Sequence, residues 1–368
     1  MSILFSLIGF SKITIKNINI NLLFNENIAF KHLENQINLN KTSYRIPGTK
    51  GREECAKYFI SEFKKIDPNF TFIIHNFSIQ GIECQNLLFK LNEKKPNILI
   101  LGAHYDTRAK ATKDPIIEKR NLPVPGANDG ASGCAVLLEL ARVLFSRRLN
   151  LSVQVWFTFF DAEDQGYDLD HGMNGWDWCE GSNKFVQDIA SFYNNSEEYF
   201  EAMILLDMVG GTSLQFIAEQ YSTSSLLNEI FEIGRQLGHV KEFPQFPISA
   251  SIIDDHVPFS NLGIPTADLI INFWNNPDWP YHHTTNDDLN NVANRSLGIT
   301  GKTIEQFICN NYYNSNYNNY KGNRPWKVDV YVMDSDLFLF LIIVLPVVGV
   351  SIVVLITIKY RRRKEQIN

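Results

Sequence analysis

The stretch LSVQVWFTFFDAEDQG, Leu151 to Gly166, joins two patterns that conflict. Residues 151–160 are apolar and rich in β-branched and aromatic side chains, the composition of a strand buried on both faces. The run then stops in Asp161, Glu163 and Asp164, three acids within four positions. Like charges that close repel, and burying them is costly unless something positive or hydrogen-bonding lies beside them. A solvated acidic turn is one reading of this strand end. A metal site is the other, and the rest of the chain decides between them.

Working outward, the same design recurs. NILILGAHYD (97–106) reads as a strand ending in His104 and Asp106, and EAMILLDMVGG (201–211) as a strand ending in Asp207. Between and after them, GCAVLLELARVLFSRRL (133–149), NKFVQDIASFY (183–193) and SSLLNEIFEIGRQLG (224–238) carry helical spacing of apolar residues. GIPTADLII (263–271) is a further strand, and LGITGKTIEQFICNNYY (297–313) a closing helix. Upstream, IPGTKGREECAKYFISEFKK (46–65) is a turn and a helix. FTFIIHNFSI and NLLFKLN, separated by QGIECQ, read as a hairpin. Alternating strands and helices with near-continuous apolar strands predict a three-layer α/β fold: a mixed, mainly parallel central sheet flanked by helices.

In open sheets of this kind, ligands bind beyond the carboxyl ends of the strands. Three strand ends here carry acids or histidine. Loops add Asp129 in PGANDGASG, Asp254 and Asp255 in SIIDDHVPF, and His282 and His283 in YHHTTNDD. A single loop acid is ordinary turn chemistry; six such positions are not. Zinc accepts imidazole nitrogen and carboxylate oxygen, and a catalytic site keeps one position open. A cation would also let one acid of the AED run bind metal while its neighbour moves protons.

Composition narrows the alternatives. The chain has 368 residues, 45% hydrophobic and 20% charged, which is globular rather than disordered. A net charge of −6, with no basic stripe, speaks against a nucleic-acid partner. The five cysteines form no CxxC pair and no dense disulfide framework; Cys134 and Cys179 read as small buried residues. LFLFLIIVLPVVGVSIVVLITI (337–358) is uncharged and long enough to span a bilayer as one helix, and KYRRRK follows it. The positive-inside rule then predicts a single-pass membrane protein with a cytoplasmic tail (359–368) and an extracytoplasmic catalytic domain. Residues 314–336 read as a polar linker and 1–44 as an unassigned segment whose first residues make a poor signal peptide.

Taken together, GAHYDTRAKATKDP…NLPVPGANDGASGCAVLLELARVL, FFDAEDQG, LLDMVGG, DDHVPF…GIP and HHTTNDDL, in that order, resemble the zinc-dependent M28 peptidase superfamily over residues 45–313. The HYDTRA…DP extension, the EDQG run and the paired acids of DDH resemble its glutaminyl cyclase branch, particularly the bacterial type. The resemblance implies one zinc held by Asp129, Asp164 and His283, with Glu163 as general acid/base. It implies Asp254 and Asp207 as hydrogen-bonding carboxylates behind the substrate amide. His104 and Asp207 match the extra ligands of two-zinc aminopeptidases, with Asp106 orienting His104. His282 stands where animal cyclases carry a tryptophan, so Trp274, Trp279 or Tyr281 is expected to supply the pocket wall. HH leaves the ligand open between His282 and His283, with the spacing favouring His283.

Three functions follow as expectations. The first is cyclisation of N-terminal glutamine on peptides or proteins to pyroglutamate with loss of ammonia. The second is a two-zinc aminopeptidase in which the same Glu163 activates water. The third is a membrane-anchored binding protein on a dead enzyme fold, which the filled ligand positions disfavour. His171 and His256 read as structural, and NGWDWCEGS (174–182) as a loop following the catalytic acid.

Overall fold

The strand that ends in the acids lies in the middle of its sheet. The structure is a computed structural model that describes residues 17–167, 172–273, 276–313 and Trp326. Its strands are β1 (Thr71–Ile79), β2 (Ile82–Leu91), β3 (Asn97–His104), β4 (Gln154–Phe160), β5 (Tyr199–Asp207), β6 (Ala218–Glu219), β7 (Ser249–Ala250) and β8 (Thr266–Ile270). Six form one sheet in the order β1-β2-β4-β3-β5-β8. The four strands from β4 to β8 run parallel, while the β1/β2 hairpin pairs antiparallel with β4. The short strands β6 and β7 make a separate pair. The mixed, mainly parallel sheet is the one the apolar runs predict.

The helices are α1 (Glu26–Leu39), α2 (Lys50–Ile66), α3 (Ala131–Arg147), α4 (Glu180–Asp188), α5 (Ser224–Gln236), α6 (His256–Asn261) and α7 (Asn294–Tyr312). Alternate residues of each central strand enter two different cores, because successive strand side chains point to opposite faces. Leu99 and Leu101 of β3, Phe157 and Phe159 of β4, and Ile204 and Leu206 of β5 pack with α1, α2, α3, α5 and α7. Ile98, Ile100, Trp156, Met203 and Leu205 pack on the other face with Phe185 of α4 and Phe259 of α6. Phe63 of α2 stacks on Phe89 of β2 with centroids 3.8 Å apart, which locks the hairpin to the helical layer. Gly133 lets α3 lie close on β5: a Cβ there would sit 2.0 Å from the Leu206 carbonyl oxygen.

Three boundaries differ from the sequence reading. The second hairpin strand starts at Ile82, because Gln80 (φ 49°) and Gly81 (φ 82°) make a two-residue turn of the left-handed kind that hairpins favour. The ordered fold begins before residue 45. Asn25 caps α1 through its side chain, Glu305 accepts the Leu23 and Phe24 amides, and Glu139 accepts that of Asn25. These buried carboxylates tie the N-terminal segment to α3 and α7. Trp326, inside the stretch read as linker, is buried against Phe307 and donates its indole N–H to Glu229. The predicted transmembrane helix (337–358) and basic tail (359–368) lie outside the described residues. Among the described residues no helix is long and apolar enough to cross a membrane.

Candidate metal centre

The parallel strands β3, β4 and β5 end on one side of the sheet, and each delivers part of the polar cluster. The sequence passes from β3 to its neighbour β4 and then to β5 on the far side of β3, so the strand order reverses there. That reversal opens the crevice in which α/β folds place ligands.

Asp106, two residues past β3, organises the acidic turn. Its Oδ1 accepts the Glu163 amide at 3.0 Å, and its Oδ2 accepts the Asp164 amide at 3.2 Å and Gln165 Nε2 at 2.9 Å. His104 Nδ1 donates to Asp106 Oδ1 at a longer 3.4 Å. Asp106 therefore orients His104, as expected, and also holds the AED backbone. Arg108 closes the turn from the other side, donating to the carbonyls of Asp164 at 2.8 Å and Gly166 at 3.1 Å. Asp161 is structural: it accepts the Gln85 amide and pairs with Arg52 at 3.3 Å.

Asp129 sits at the start of α3, with its amide held by Asp287 Oδ2 at 3.1 Å. Asp287 Oδ1 accepts the Asn128 amide at 2.8 Å. His104 Nε2 lies 3.0 Å from Asp129 and 3.2 Å from Asp207, so these three are brought together as the strand ends predict. Burial opposes charge on His104, but its hydrogen bonds to Asp106, Asp129 and Asp207 outweigh it and hold the imidazole well above its ordinary pKa. Burial likewise pushes the Asp129 carboxyl up, and the His104 hydrogen bond and charge overcome it.

His283 Nε2 lies 2.9 Å from Asp164 Oδ1 and 3.7 Å from Asp129 Oδ2, so it faces both expected acids. His282 also belongs to the cluster, with Nε2 3.8 Å from Asp129. It is otherwise engaged: Lys113 Nζ donates to its Nδ1 at 3.1 Å, which leaves the proton of a neutral ring on the nitrogen facing Asp129. Neutral imidazole is the metal-binding form, and burial followed by Arg108 holds His283 well below its ordinary pKa. The donor set fits a cation. Both oxygens of buried Asp164 lack a hydrogen-bond donor, and the Nε2 of a neutral His283 lies beside Oδ1, with Arg108 Nη1 further off at 3.6 Å. Two such groups at 2.9 Å repel unless a cation or a proton sits between them.

Beside this cluster is a cavity of about 330 Å³. Glu163, Asp207 and Asp254 face it, with apolar walls from Tyr167, Trp178, Ile252, Ile253 and Phe273. Burial, with Asp254 and Asp164 adding to it, pushes Glu163 well above the usual carboxylate range against the pull of His104. Burial and then Asp207 push Asp254 up to about 7. Asp254 Oδ1 accepts the Asp255 amide at 2.6 Å, while Oδ2 has no hydrogen-bond partner.

The expectation about the pocket wall changes. Trp279 is fully buried and donates its indole N–H to the Asn291 carbonyl, so it packs in the core and does not line the pocket. Trp178 lines it instead. Its ring is parallel to His283 with centroids 5.8 Å apart, carries Arg108 over its face at 4.8 Å, and packs where a Gly166 Cβ would be. Trp274 and His171 lie outside the described residues. Cys179 is more than a filler: its thiol donates to Glu163 Oε1 at 3.4 Å and its amide to the Glu163 carbonyl at 3.0 Å. His256 is structural, donating Nε2–H to Glu219 at 2.9 Å.

The roles of Asp287, Arg108, Lys113 and Trp178 are visible only in the fold. Asp287 stood in the quoted HHTTNDDL motif and Trp178 in NGWDWCEGS, so position marked them, but neither spacing nor chemistry said what they touch. Backbone strain would have marked the site only in three dimensions. Ala162, Cys179, Met208 and His283 all have φ between 47° and 60°, a region that costs non-glycine residues on the order of 1–3 kcal/mol.

The chain is 29% identical over 221 residues to the aminopeptidase YwaD of Bacillus subtilis, which spans 58% of this chain but only 41% of that protein. It is 25% identical over 295 residues to a glutaminyl-peptide cyclotransferase of Bos taurus, covering 72% of this chain and 77% of the relative. Among solved structures, the glutaminyl cyclase of Bacteroides thetaiotaomicron bound to N-acetylhistamine superposes with a TM-score of 0.68 at 26% identity, over 78% of this chain and 99% of that one. The model of peptidase family M28 matches residues 86–308, from β2 to α7 and so across every strand that carries the site. The chain belongs to peptidase family M28, and its likeness runs further along the chain for the cyclotransferase than for the aminopeptidase.

Proposed function

We propose that this chain is a zinc-dependent glutaminyl-peptide cyclotransferase, converting N-terminal glutamine to pyroglutamate with release of ammonia. The observation that carries this reading is Asp254 Oδ2, a buried carboxylate oxygen with no donor, facing the same cavity as Glu163. It is an acceptor placed to take an amide N–H2. Asp129, Asp164 and His283 would hold the zinc, which when bound supplies Lewis acidity toward the amide carbonyl. In the reaction the α-nitrogen bonds to the side-chain carbonyl carbon, Cδ, closing a five-membered ring, and the bond from that carbon to the amide nitrogen breaks. Glu163 takes the proton shed by the attacking nitrogen and delivers it to the leaving one, completing ammonia. Asp254 orients that nitrogen, and Asp207 supports His104. The apolar walls limit water, which suppresses hydrolysis.

A zinc aminopeptidase is the second reading, supported by His104, Asp129 and Asp207, whose ligand atoms all lie within 4.8 Å of one another and fit a second ion. Against it, His104 Nε2 lies 3.0 Å from Asp129 and 3.2 Å from Asp207, so a proton on this imidazole can bridge the two acids in place of a second ion. The purified chain, incubated with glutaminyl peptides and with leucyl and alanyl amides, separates the two. Release of N-terminal residues without any pyroglutamate would refute the cyclase reading. Metal analysis at one against two zincs per chain makes the same choice.

Membrane attachment completes the proposal. Residues 337–358 span a bilayer, with 359–368 cytoplasmic and the enzyme on the opposite side. The uncharged run and the following lysine and arginines support this. Protease added to intact cells should digest the enzyme domain; full protection would refute this topology.

A further inference from the structure

Glu163, Cys179 and Asp254 form a third group of ligand atoms, all within 4.8 Å of one another, that shares no residue with Asp129, Asp164, His283, His104 or Asp207. All three side chains are buried. Glu163 and Asp254 open onto the cavity, and Cys179 lies behind Glu163 at the start of α4. Two features mark it as a receptor for a cation. Asp254 is only 2% exposed, and its Oδ2 has no hydrogen-bond donor. The Cys179 sulfur is 3.4 Å from Glu163 Oε1, a little inside the roughly 3.5–3.7 Å edge of a tetrahedron built on zinc–sulfur and zinc–oxygen bonds. One sulfur and two carboxylate oxygens leave a fourth position on the cavity side. A thiolate favours soft cations, whereas magnesium and calcium prefer oxygen alone.

We infer that Glu163, Cys179 and Asp254 are an inhibitory soft-metal site, at which Cd2+ or excess Zn2+ binds beside the catalytic centre and stops turnover. The cation displaces the thiol proton to solvent and takes up the lone pairs of both carboxylates. Glu163 can then no longer carry a proton, and Asp254 can no longer accept the amide. The inhibitory half of this inference rests on the roles proposed above for those two residues; the binding half does not.

The test titrates Cd2+ into the full chain carrying its own zinc. It reads the sulfur-to-cadmium charge-transfer absorption, the bound metals by elemental analysis, and the rate on a glutaminyl peptide. One added Cd2+ per chain is expected, with zinc retained and with absorption and inhibition sharing a midpoint; Mg2+ is expected to do nothing. Cys179→Ser, compared with its own uninhibited rate, is expected to lose the absorption and to need at least about tenfold more Cd2+ for half-inhibition, since losing even a residue that only orients a metal ligand costs that much. Cys179→Ala repeats the measurement should the serine variant fold poorly, as judged by its thermal midpoint. The absorption surviving in both variants, or Cd2+ entering only by displacing zinc, overturns the site. Absorption at full stoichiometry without inhibition overturns the inhibitory half and the roles of Glu163 and Asp254 with it.

Discussion

Replacing Asp106 with alanine should disable the site without touching any residue proposed to meet substrate or metal. The carboxylate is fully buried and accepts the Glu163 and Asp164 amides, Gln165 Nε2 and His104 Nδ1. Gln165 Nε2 keeps the Thr107 carbonyl at 2.7 Å, so its loss is small. The two backbone amides have no other acceptor among the described residues, and a buried donor left unpaired costs roughly 1–3 kcal/mol. The variant should therefore lose about 3–4 kcal/mol, less than a simple sum over four contacts because neighbouring losses are not additive. An asparagine side chain at this position keeps one acceptor but turns an N–H2 toward donors, so Asp106→Asn should lose about half as much. Urea unfolding reads the stability, as a lower midpoint with unchanged slope. Chelator competition should show faster zinc loss, because Asp164 is held by the same turn. A loss below about 1 kcal/mol with zinc retention intact would refute the claim that Asp106 holds the acidic turn.

Glu163→Gln should abolish turnover, by at least about a hundredfold, while zinc stays bound. Asp164→Ala should lose the zinc, as elemental analysis after dialysis would show; an active Glu163→Gln enzyme contradicts this division of roles. Trp178→Ala removes the ring beside His283 and under Arg108 and should raise KM for glutaminyl peptides about tenfold with a smaller effect on kcat, a loss of about 1.4 kcal/mol in binding. Burial pushes Glu219 up, but the hydrogen bond from His256 and those from the Tyr221 and Ile252 amides outweigh it and hold its pKa below the ordinary glutamate value. The folded state then binds fewer protons than the unfolded one, so this stabilisation is present above about pH 4.3 and fades as pH falls through the lower folded pKa. Acid unfolding should be steeper there for the native chain than for Glu219→Gln; equal slopes would contradict the assignment.

The strand ends were legible because their signal is local. A buried strand must be apolar on both faces, so the point where Phe160 gives way to Asp161 marks the edge of the core. The same logic located His104 and Asp207, and all three ends prove to lie side by side in parallel strands. Loop residues were legible only as motif members. Spacing favoured His283 over His282 only through the motif; in the fold the two differ in their contacts, His282 with Lys113 and His283 with Asp164. The pocket wall was misread for a related reason. Trp279 is near the histidines in sequence, yet the chain turns it inward, while Trp178 arrives from a loop more than a hundred residues away.

By itself, the sequence determined the fold class, the side of the sheet that carries the chemistry and the residue types available there, because hydrophobic period and turn chemistry act over a few residues. Tertiary structure decided the partners. Asp106 as the anchor of the acidic turn, Asp287 behind Asp129 and Trp178 beside His283 are contacts between segments far apart in the chain. Such contacts depend on how helices and loops pack over the sheet, and packing leaves no period in the sequence. The FFDAEDQG strand end announces that acids will be buried; only the folded chain shows what makes burying them possible.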